Sequence, residues 1–225
     1  MADRLELKAN RMDLVSRWAD DLAHEIKNPL HAMVINLELV KRRAGSAEPA
    51  PLVERVQVVE SELERVHSLI EAMLRLVRPW SIQGVAQVDR VFEDLLPVLQ
   101  ARARIRKVDF VYEGGYAVVA MPPGNLTLLL LNIIDQTLDA TPAGGSIISG
   151  CRLDGDLVNI TVRHTVPEPG GSPDRNTADG SEAAAAGIAT VTSLVQEVGG
   201  SVELLPAAGE PEAAWVVALP RADAP

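Results

Sequence analysis

The sequence predicts an all-α helical hairpin that forms a dimeric four-helix bundle, followed by an α+β sandwich. Residues 15–40 and 52–77 each carry apolar residues at alternating steps of three and four. Residues 89–219 instead mix short strands with helices, without a regular strand–helix–strand alternation. The chain has 225 residues, of which 47% are hydrophobic and 23% charged, so it can form one or two packed units.

Two apolar series define the helices of the hairpin, and the breaker-rich segment AGSAEPAP at 44–51 separates them. One narrow stripe per helix cannot enclose a core, so we expect two hairpins to form an antiparallel four-helix bundle. Docking of the hairpin on the rest of its own chain is the alternative. The first stripe contains Val15, Ala19, Leu22, Ile26, Pro29, Leu30, Met33, Leu37 and Val40, and the second contains Leu52, Val56, Val59, Leu63, Val66, Ile70, Met73 and Val77.

Composition excludes several classes of protein. The single Cys151 rules out a disulfide framework within the chain and a zinc site built on cysteine pairs. No apolar run reaches the ~20 residues of a membrane helix, and the first residues lack a signal-peptide core, so we expect a cytoplasmic protein. The formal net charge is −10, and the acidic excess lies in the last hundred residues. Nucleic acid and membranes are therefore not expected as partners.

Polar residues cluster on the face of the first helix that lies opposite its apolar stripe. At ~100° per residue, His24 falls ~180° from Val15, and Asn28 and His31 lie close to the same outward line. Glu25 falls on the flank. Pro29 leaves the carbonyl group of Glu25 without its helical donor and predicts a bend just after His24.

The segment LAHEIKNPLHAM at 22–33 resembles the phosphoacceptor box of bacterial two-component histidine kinases. The resemblance implies that His24 is the phosphorylated residue. It also implies that Glu25 holds or deprotonates the ring and that Asn28 aligns a water molecule or the phosphoryl group. An exposed imidazole is chemically suited to this role, because its free ring nitrogen is a nucleophile.

The second half is expected to order its elements as helix, two strands, helix, two strands, loop, helix and two strands. This order resembles the ATPase domain of histidine kinases, and it divides the chain into a phosphoacceptor and dimerisation hairpin at 1–80 and an ATPase-like domain at 81–225. The predicted helices lie at 89–103, 124–140 and 183–198, the strands at 107–112, 116–120, 145–152, 157–164, 201–206 and 213–219, and the loop at 165–182.

Motifs that bind nucleotide in this family are only partly present. Asn132, Asp139-Ala140 and the turn at 142–145 match, but the second asparagine of the magnesium-binding pair is Gln136. The adenine-binding aspartate is replaced by His164. The family's Gly-x-Gly-x-Gly motif falls on Ala183, Ala185 and Gly187, so only one glycine remains. The residual nucleotide-site residues are Asn132, Gln136, Asp139 and Gly187, and no metal site is expected.

A complete phosphoacceptor box beside a degenerate ATPase domain predicts a histidine phosphotransferase. Such a protein relays phosphoryl groups between the aspartates of receiver domains through His24 and needs no cofactor. One alternative is a divergent histidine kinase that uses ATP and Mg²⁺ to phosphorylate His24. Another is a dimeric scaffold or phosphatase that docks a response regulator and acts through Asn28. The expected partners are a second copy, receiver domains, and an upstream kinase or receiver in a separate chain.

Overall fold

The computed structural model describes residues 4–43, 50–78, 80–81, 83–166, 180–205 and 212–223. Two long helices come first, and a mixed domain with three helices and seven strands follows within these residues. The predicted helical hairpin followed by an α+β domain is therefore confirmed, and the dimeric bundle stays a prediction. The elements are α1 (Arg4–Arg43), α2 (Ala50–Val77), β1 (Ala86–Gln87), α3 (Val88–Ile105), β2 (Asp109–Tyr112), β3 (Val118–Val119), α4 (Pro123–Ala140), β4 (Ser146–Asp154), β5 (Leu157–Thr165), α5 (Gly180–Glu197), β6 (Ser201–Leu205) and β7 (Glu212–Pro220).

Helices α1 and α2 pack against each other as a hairpin. The predicted breaker segment lies, apart from its last two residues, outside the described residues. Helix α1 begins at Arg4, about three turns before the apolar stripe on which its prediction rested. The buried side of α1 also differs from that stripe, because it includes Glu25 and excludes Leu30 and Leu37. Its buried residues are Leu14, Trp18, Leu22, Glu25, Pro29 and Met33.

The main sheet has five strands in the order β2-β4-β5-β7-β6. Its β2–β4 pair is parallel and its other pairs are antiparallel. Buried residues alternate along β5 at Val158, Ile160 and Val162, as expected when helices cover one face of the sheet. The strand predicted at 116–120 is shorter and pairs with β1 instead of the main sheet. The two-residue strand β1 was not predicted.

One apolar core runs through the hairpin and the mixed domain. Leu14, Trp18 and Leu22 of α1 belong to the same cluster of buried residues as α3, α4 and the sheet. The connection after α2 is also fastened, since the guanidinium group of Arg11 lies 3.7 Å from the centroid of the Trp80 ring and donates to the carbonyl group of Leu76 at 2.8 Å. The proposed boundary at residue 80 therefore falls within a continuous packing unit.

No helix in the described part of the chain combines the length and the apolar content needed to cross a membrane.

Candidate functional site

His24 lies on the exposed face of α1, where its angular position predicts it. Asn28 and His31 are exposed on the same helix, and Pro29 is buried within it. No hydrogen bond or ion pair engages His24 among the residues that the structure describes. The imidazole of His24 is therefore free to meet a partner that approaches from solvent.

Glu25 is placed differently from the sequence prediction. Its side chain points inward and is only 9% exposed, although the helix phase put it on the flank. Its Oε2 atom accepts hydrogen bonds from Nη2 of Arg65 at 2.9 Å and from Nε of Arg104 at 3.4 Å. The described partners of this carboxylate are thus arginines of α2 and α3. A direct action of Glu25 on the His24 ring stays a prediction.

A buried polar network joins α1 to α3 and α4. Oδ1 of Asp135 accepts hydrogen bonds from Nε1 of Trp18 at 2.7 Å and from Nη2 of Arg102 at 2.6 Å. Nη1 of Arg17 lies 3.3 Å from Oδ2 of the same carboxylate, and Arg102 also pairs with Asp21. Sequence analysis missed this network because Trp18 and Asp135 are 117 positions apart. The available signals were Trp18 and Asp135, a tryptophan and a carboxylate among the apolar residues of their helices.

Residues that correspond to the family's nucleotide site lie on α4, under α5 and the start of α1. Nδ2 of Asn132 donates to Oδ1 of Asn10 at 2.9 Å and to the carbonyl group of Leu128 at 2.8 Å. Nε2 of Gln136 is buried without a hydrogen-bond partner in the described part of the chain. A Cβ on Gly187 would lie 2.8 Å from that atom, so α5 covers both amides closely.

Asp139 lies near the end of α4 and does not join Asn132 and Gln136 in their contacts. Its Oδ1 accepts a hydrogen bond from Nη2 of Arg106 at 2.6 Å. Burial raises the pKa of the Asp139 carboxyl group, and the positive charge of Arg106 opposes that change. Asp139 thus serves as an ion-pair partner for α3 in this structure.

Helix α5 occupies the positions of the family's glycine-rich phosphate motif. It begins at Gly180, whereas the sequence predicted a loop at 165–182 and a helix from 183; residues 167–179 lie outside the described part. Ala185 and Gly187 therefore lie inside the helix. Backbone N–H groups beyond the first four residues of a helix donate to the carbonyl group four residues earlier, so those of Ala185 and Gly187 are not free to bind phosphates.

His164 replaces the adenine-binding aspartate and lies in β5. Its side chain is buried, with Nδ1 3.4 Å from Oγ1 of Thr141 and 3.2 Å from the carbonyl oxygen of Thr165. Burial lowers the pKa of this imidazole, and the hydrogen bond with the Thr165 backbone opposes the change. A neutral ring held by two threonines does not supply the carboxylate acceptor of the family.

These positions do not fit ATP and Mg²⁺. The second asparagine is a glutamine whose amide nitrogen is buried beneath Gly187, and the first donates its amide to Asn10. The phosphate motif is helical, and the adenine-binding carboxylate is absent from its position.

Comparisons with known proteins agree with the fold and with a phosphoacceptor hairpin in the first part of the chain. The family model for the His Kinase A (phospho-acceptor) domain matches residues 14–79. Sporulation kinase E of Bacillus subtilis strain 168 is 28% identical over 160 residues, which are 69% of this chain and 21% of that protein. The chain thus spans only about a fifth of that curated relative, and it spans 26% of sporulation kinase A from the same strain.

Two solved structures have the same fold over nearly the whole chain. A bacterial phosphotransferase is 17% identical with a TM-score of 0.50, over 96% of this chain and 98% of that one. Full-length ShkA in complex with AMPPNP is 19% identical with a TM-score of 0.51, over 93% of this chain and 46% of that one. The matched phosphoacceptor hairpin and the related kinases agree, and the chain is similar to two-component histidine kinases.

Proposed function

We propose that this protein is a histidine phosphotransferase that carries phosphoryl groups between receiver-domain aspartates on His24. The observation that carries the proposal is the exposed His24, which has no hydrogen-bond or ion-pair partner among the described residues and lies within the matched phosphoacceptor domain. In the transfer step, a ring nitrogen of His24 forms a P–N bond while the P–O bond of an aspartyl phosphate breaks. The aspartate carboxylate is released, and the ring loses one proton to solvent.

The geometry of the second domain supports a donor other than ATP. The polar side chains of its cleft are hydrogen-bonded to other residues of the chain: Asn132 contacts Asn10, and Asp135 accepts from Trp18 and Arg102. A nucleotide would have to displace α1 and unwind the start of α5. A phosphorylated receiver domain requires no nucleotide site in this protein, because the receiver itself brings the phosphoryl group to an accessible imidazole.

An ATP-dependent histidine kinase is the second candidate, and the comparisons taken alone favour it over the phosphotransferase. The curated relatives include sporulation kinases and sensor kinases, and ShkA was solved with AMPPNP. The solved bacterial phosphotransferase shares the fold over almost the full length of both chains, which supports the first candidate by likeness only.

One experiment separates the two candidates. Isothermal calorimetry with ATP and Mg²⁺ up to millimolar concentrations is expected to give no heat of binding, and radiolabelled ATP is expected to leave His24 unlabelled. His24→Ala is the matched control for label that reaches another residue. Saturable binding together with label on His24 of the parent protein would establish the kinase instead.

A homodimer through the hairpin forms part of the proposal. An apolar groove of about 270 Å³ runs along α1 and α2, and its lining includes Val15, Ala19, Ile26, Ile70 and Leu74. Leu63 and Val77 on the predicted stripe are 58% and 62% exposed in the single chain. Apolar side chains at this spacing are typical of a helix that packs against a second copy.

Other expected partners are receiver domains and an upstream kinase or receiver in a separate chain. The accessible face around His24, with Asn28 one turn further, supports docking of a receiver. The scaffold or phosphatase alternative uses the same face and would be detected by loss of phosphate from a receiver without label on His24. The cytoplasmic location stays a prediction from the sequence.

A further inference from the structure

Trp80, in the connection between the hairpin and the ATPase-like domain, contacts both of them. Its ring packs against the guanidinium group of Arg11 of α1, and its Cβ atom leaves no room for a side chain at Gly124 of α4. We propose that Arg11, Trp80 and Gly124 form a lock that holds the ATPase-like domain in one position relative to the hairpin. The lock does not depend on the donor that phosphorylates His24, so it goes beyond the proposed function.

On the hairpin side, the lock completes the C-terminal end of α2. The last carbonyl groups of a helix have no donors within the helix and need partners from elsewhere. Nη2 of Arg11 donates to the carbonyl group of Leu76 at 2.8 Å and to that of Arg78, and the same guanidinium group lies 3.7 Å from the centroid of the Trp80 ring. Nε1 of Trp80 donates to the carbonyl group of Arg75 at 3.1 Å. The end of α2 and the Trp80 ring are therefore fastened to α1 by one side chain.

On the side of the second domain, the connection lies directly on the first turn of α4. A Cβ atom on Gly124 would lie 2.5 Å from Cβ of Trp80 and 2.7 Å from the carbonyl oxygen of Ser81. The backbone N–H group of Gly124 donates to that carbonyl oxygen at 3.1 Å. Rotation of the second domain about the connection would therefore break contacts on both sides of Trp80.

A second attachment between the two parts lies further along α1. Nε1 of Trp18 donates to Asp135 of α4 at 2.7 Å, and Trp18 is about 10 Å beyond Arg11 along the axis of α1. A domain attached at one point can rotate about it, whereas attachment at two separate points suppresses most of that rotation. The lock thus prevents a movement that the buried network around Asp135 would allow by itself.

The position that the lock holds keeps the cleft of the second domain away from the phosphoacceptor. Asn132 in the cleft donates to Asn10 of α1 at 2.9 Å. At ~1.5 Å per residue, the level of Asn10 on α1 is about 21 Å from that of His24. Reacting groups have to approach to about 3–3.5 Å. The locked domain therefore cannot bring its cleft to His24 of the same chain, and the exposed imidazole stays open to a separate partner.

Hydrogen exchange followed by NMR on the full chain tests the lock, because two N–H groups report on it directly. They are the backbone N–H of Gly124 and the indole N–H of Trp80. Arg11→Gln is expected to accelerate the exchange of both about tenfold, since it removes a partly desolvated cation from the ring. Lys8→Gln is the matched control, as it removes a positive charge from an exposed position one turn earlier on α1, and it should leave both rates unchanged.

Gly124→Ala tests the lock from the side of the second domain. Its methyl group would collide with Cβ of Trp80, so the exchange of the Trp80 indole N–H should accelerate by a similar factor, although alanine favours helix more than glycine does. Gly150→Ala is the control, because a Cβ atom there would have no neighbour closer than 3.6 Å.

Residual dipolar couplings of helical N–H groups report how the two parts of the chain are oriented. The couplings of α1 and α2 and those of α3, α4 and α5 should fit one molecular alignment in the parent protein and two in Arg11→Gln. Two alignments in the parent, or a single one in Arg11→Gln, would overturn the proposal. Unchanged exchange at Gly124 in Arg11→Gln, or equal acceleration in Lys8→Gln, would do the same.

Discussion

The polar residues around His24 on α1 and those of the cleft around Asn132 differ in their exposure to solvent. His24, Asn28 and His31 are exposed, whereas Asn132, Asp135 and Arg102 are buried and bonded to other side chains. Burying polar groups is tolerated when they are paired, and paired groups are no longer available to a ligand. In this structure the polar groups of the cleft therefore stabilise the fold, while those around His24 are open to solvent.

The largest expected effect comes from removing the exposed imidazole. His24→Ala should abolish labelling by phosphoramidate or by a phosphorylated receiver, because it removes the nucleophile. It should change the free energy of unfolding by no more than about 0.5 kcal/mol, since the side chain is exposed and has no described partner. Mass spectrometry of the labelled protein and urea denaturation measure the two quantities.

His31→Ala is the matched control for that prediction, as it removes a second exposed histidine from the same helix. It should keep both the label and the stability. If label persisted in His24→Ala and disappeared in His31→Ala, the phosphoacceptor would be His31.

The second largest effect is expected from removing Trp18, which donates a hydrogen bond to Asp135 in the cleft. Trp18→Ala removes a fully buried ring and leaves Asp135 without one of its donors, so it should lower the free energy of unfolding by about 3–5 kcal/mol. Trp18→Phe keeps most of the ring and loses the indole N–H, so about 1–2 kcal/mol is expected. Urea denaturation followed by circular dichroism measures both. A loss below about 1 kcal/mol for Trp18→Ala would show that the cleft is not under structural constraint.

The smallest of these effects is expected on dimerisation through the exposed apolar stripe of the hairpin. Light scattering of the parent protein should give about twice 24.1 kDa. Leu63→Asp places a carboxylate on the exposed apolar stripe and should weaken the dimer about a hundredfold, which corresponds to about 2.7 kcal/mol. Val58→Asp is the control, since Val58 is also exposed but points to another side of α2. A monomeric parent, or equal losses in both variants, would contradict the bundle.

Sequence reasoning succeeded where local pattern determines structure. Helix α4 was predicted at 124–140 and runs from Pro123 to Ala140, because a proline at its start and a long apolar run define it. The exposure of His24 follows from helix geometry alone. The inward turn of Glu25 depends on Arg65 and Arg104, which lie 40 and 79 positions away, so no local pattern contains it.

Helix α5 was predicted to begin three residues late for a different reason. The run of alanines at 183–186 favours helix and was predicted to be helical. The three residues before it were assigned to the loop at 165–182, because the composition of that segment is typical of a loop. The start of α1 was missed because charged residues dominate 4–11, and its contacts with the second domain, such as Asn10 with Asn132, could not be read from periodicity.

The continuous core has a consequence for how this protein can be divided. Leu14 and Trp18 are less than 2% exposed, and they belong to a cluster of buried residues that continues into the helices beyond residue 80. A hairpin truncated at residue 80 would expose these side chains to water. The resulting apolar patch would favour aggregation. The phosphoacceptor helix is therefore part of a larger folding unit, and we expect it to unfold together with the ATPase-like domain on heating.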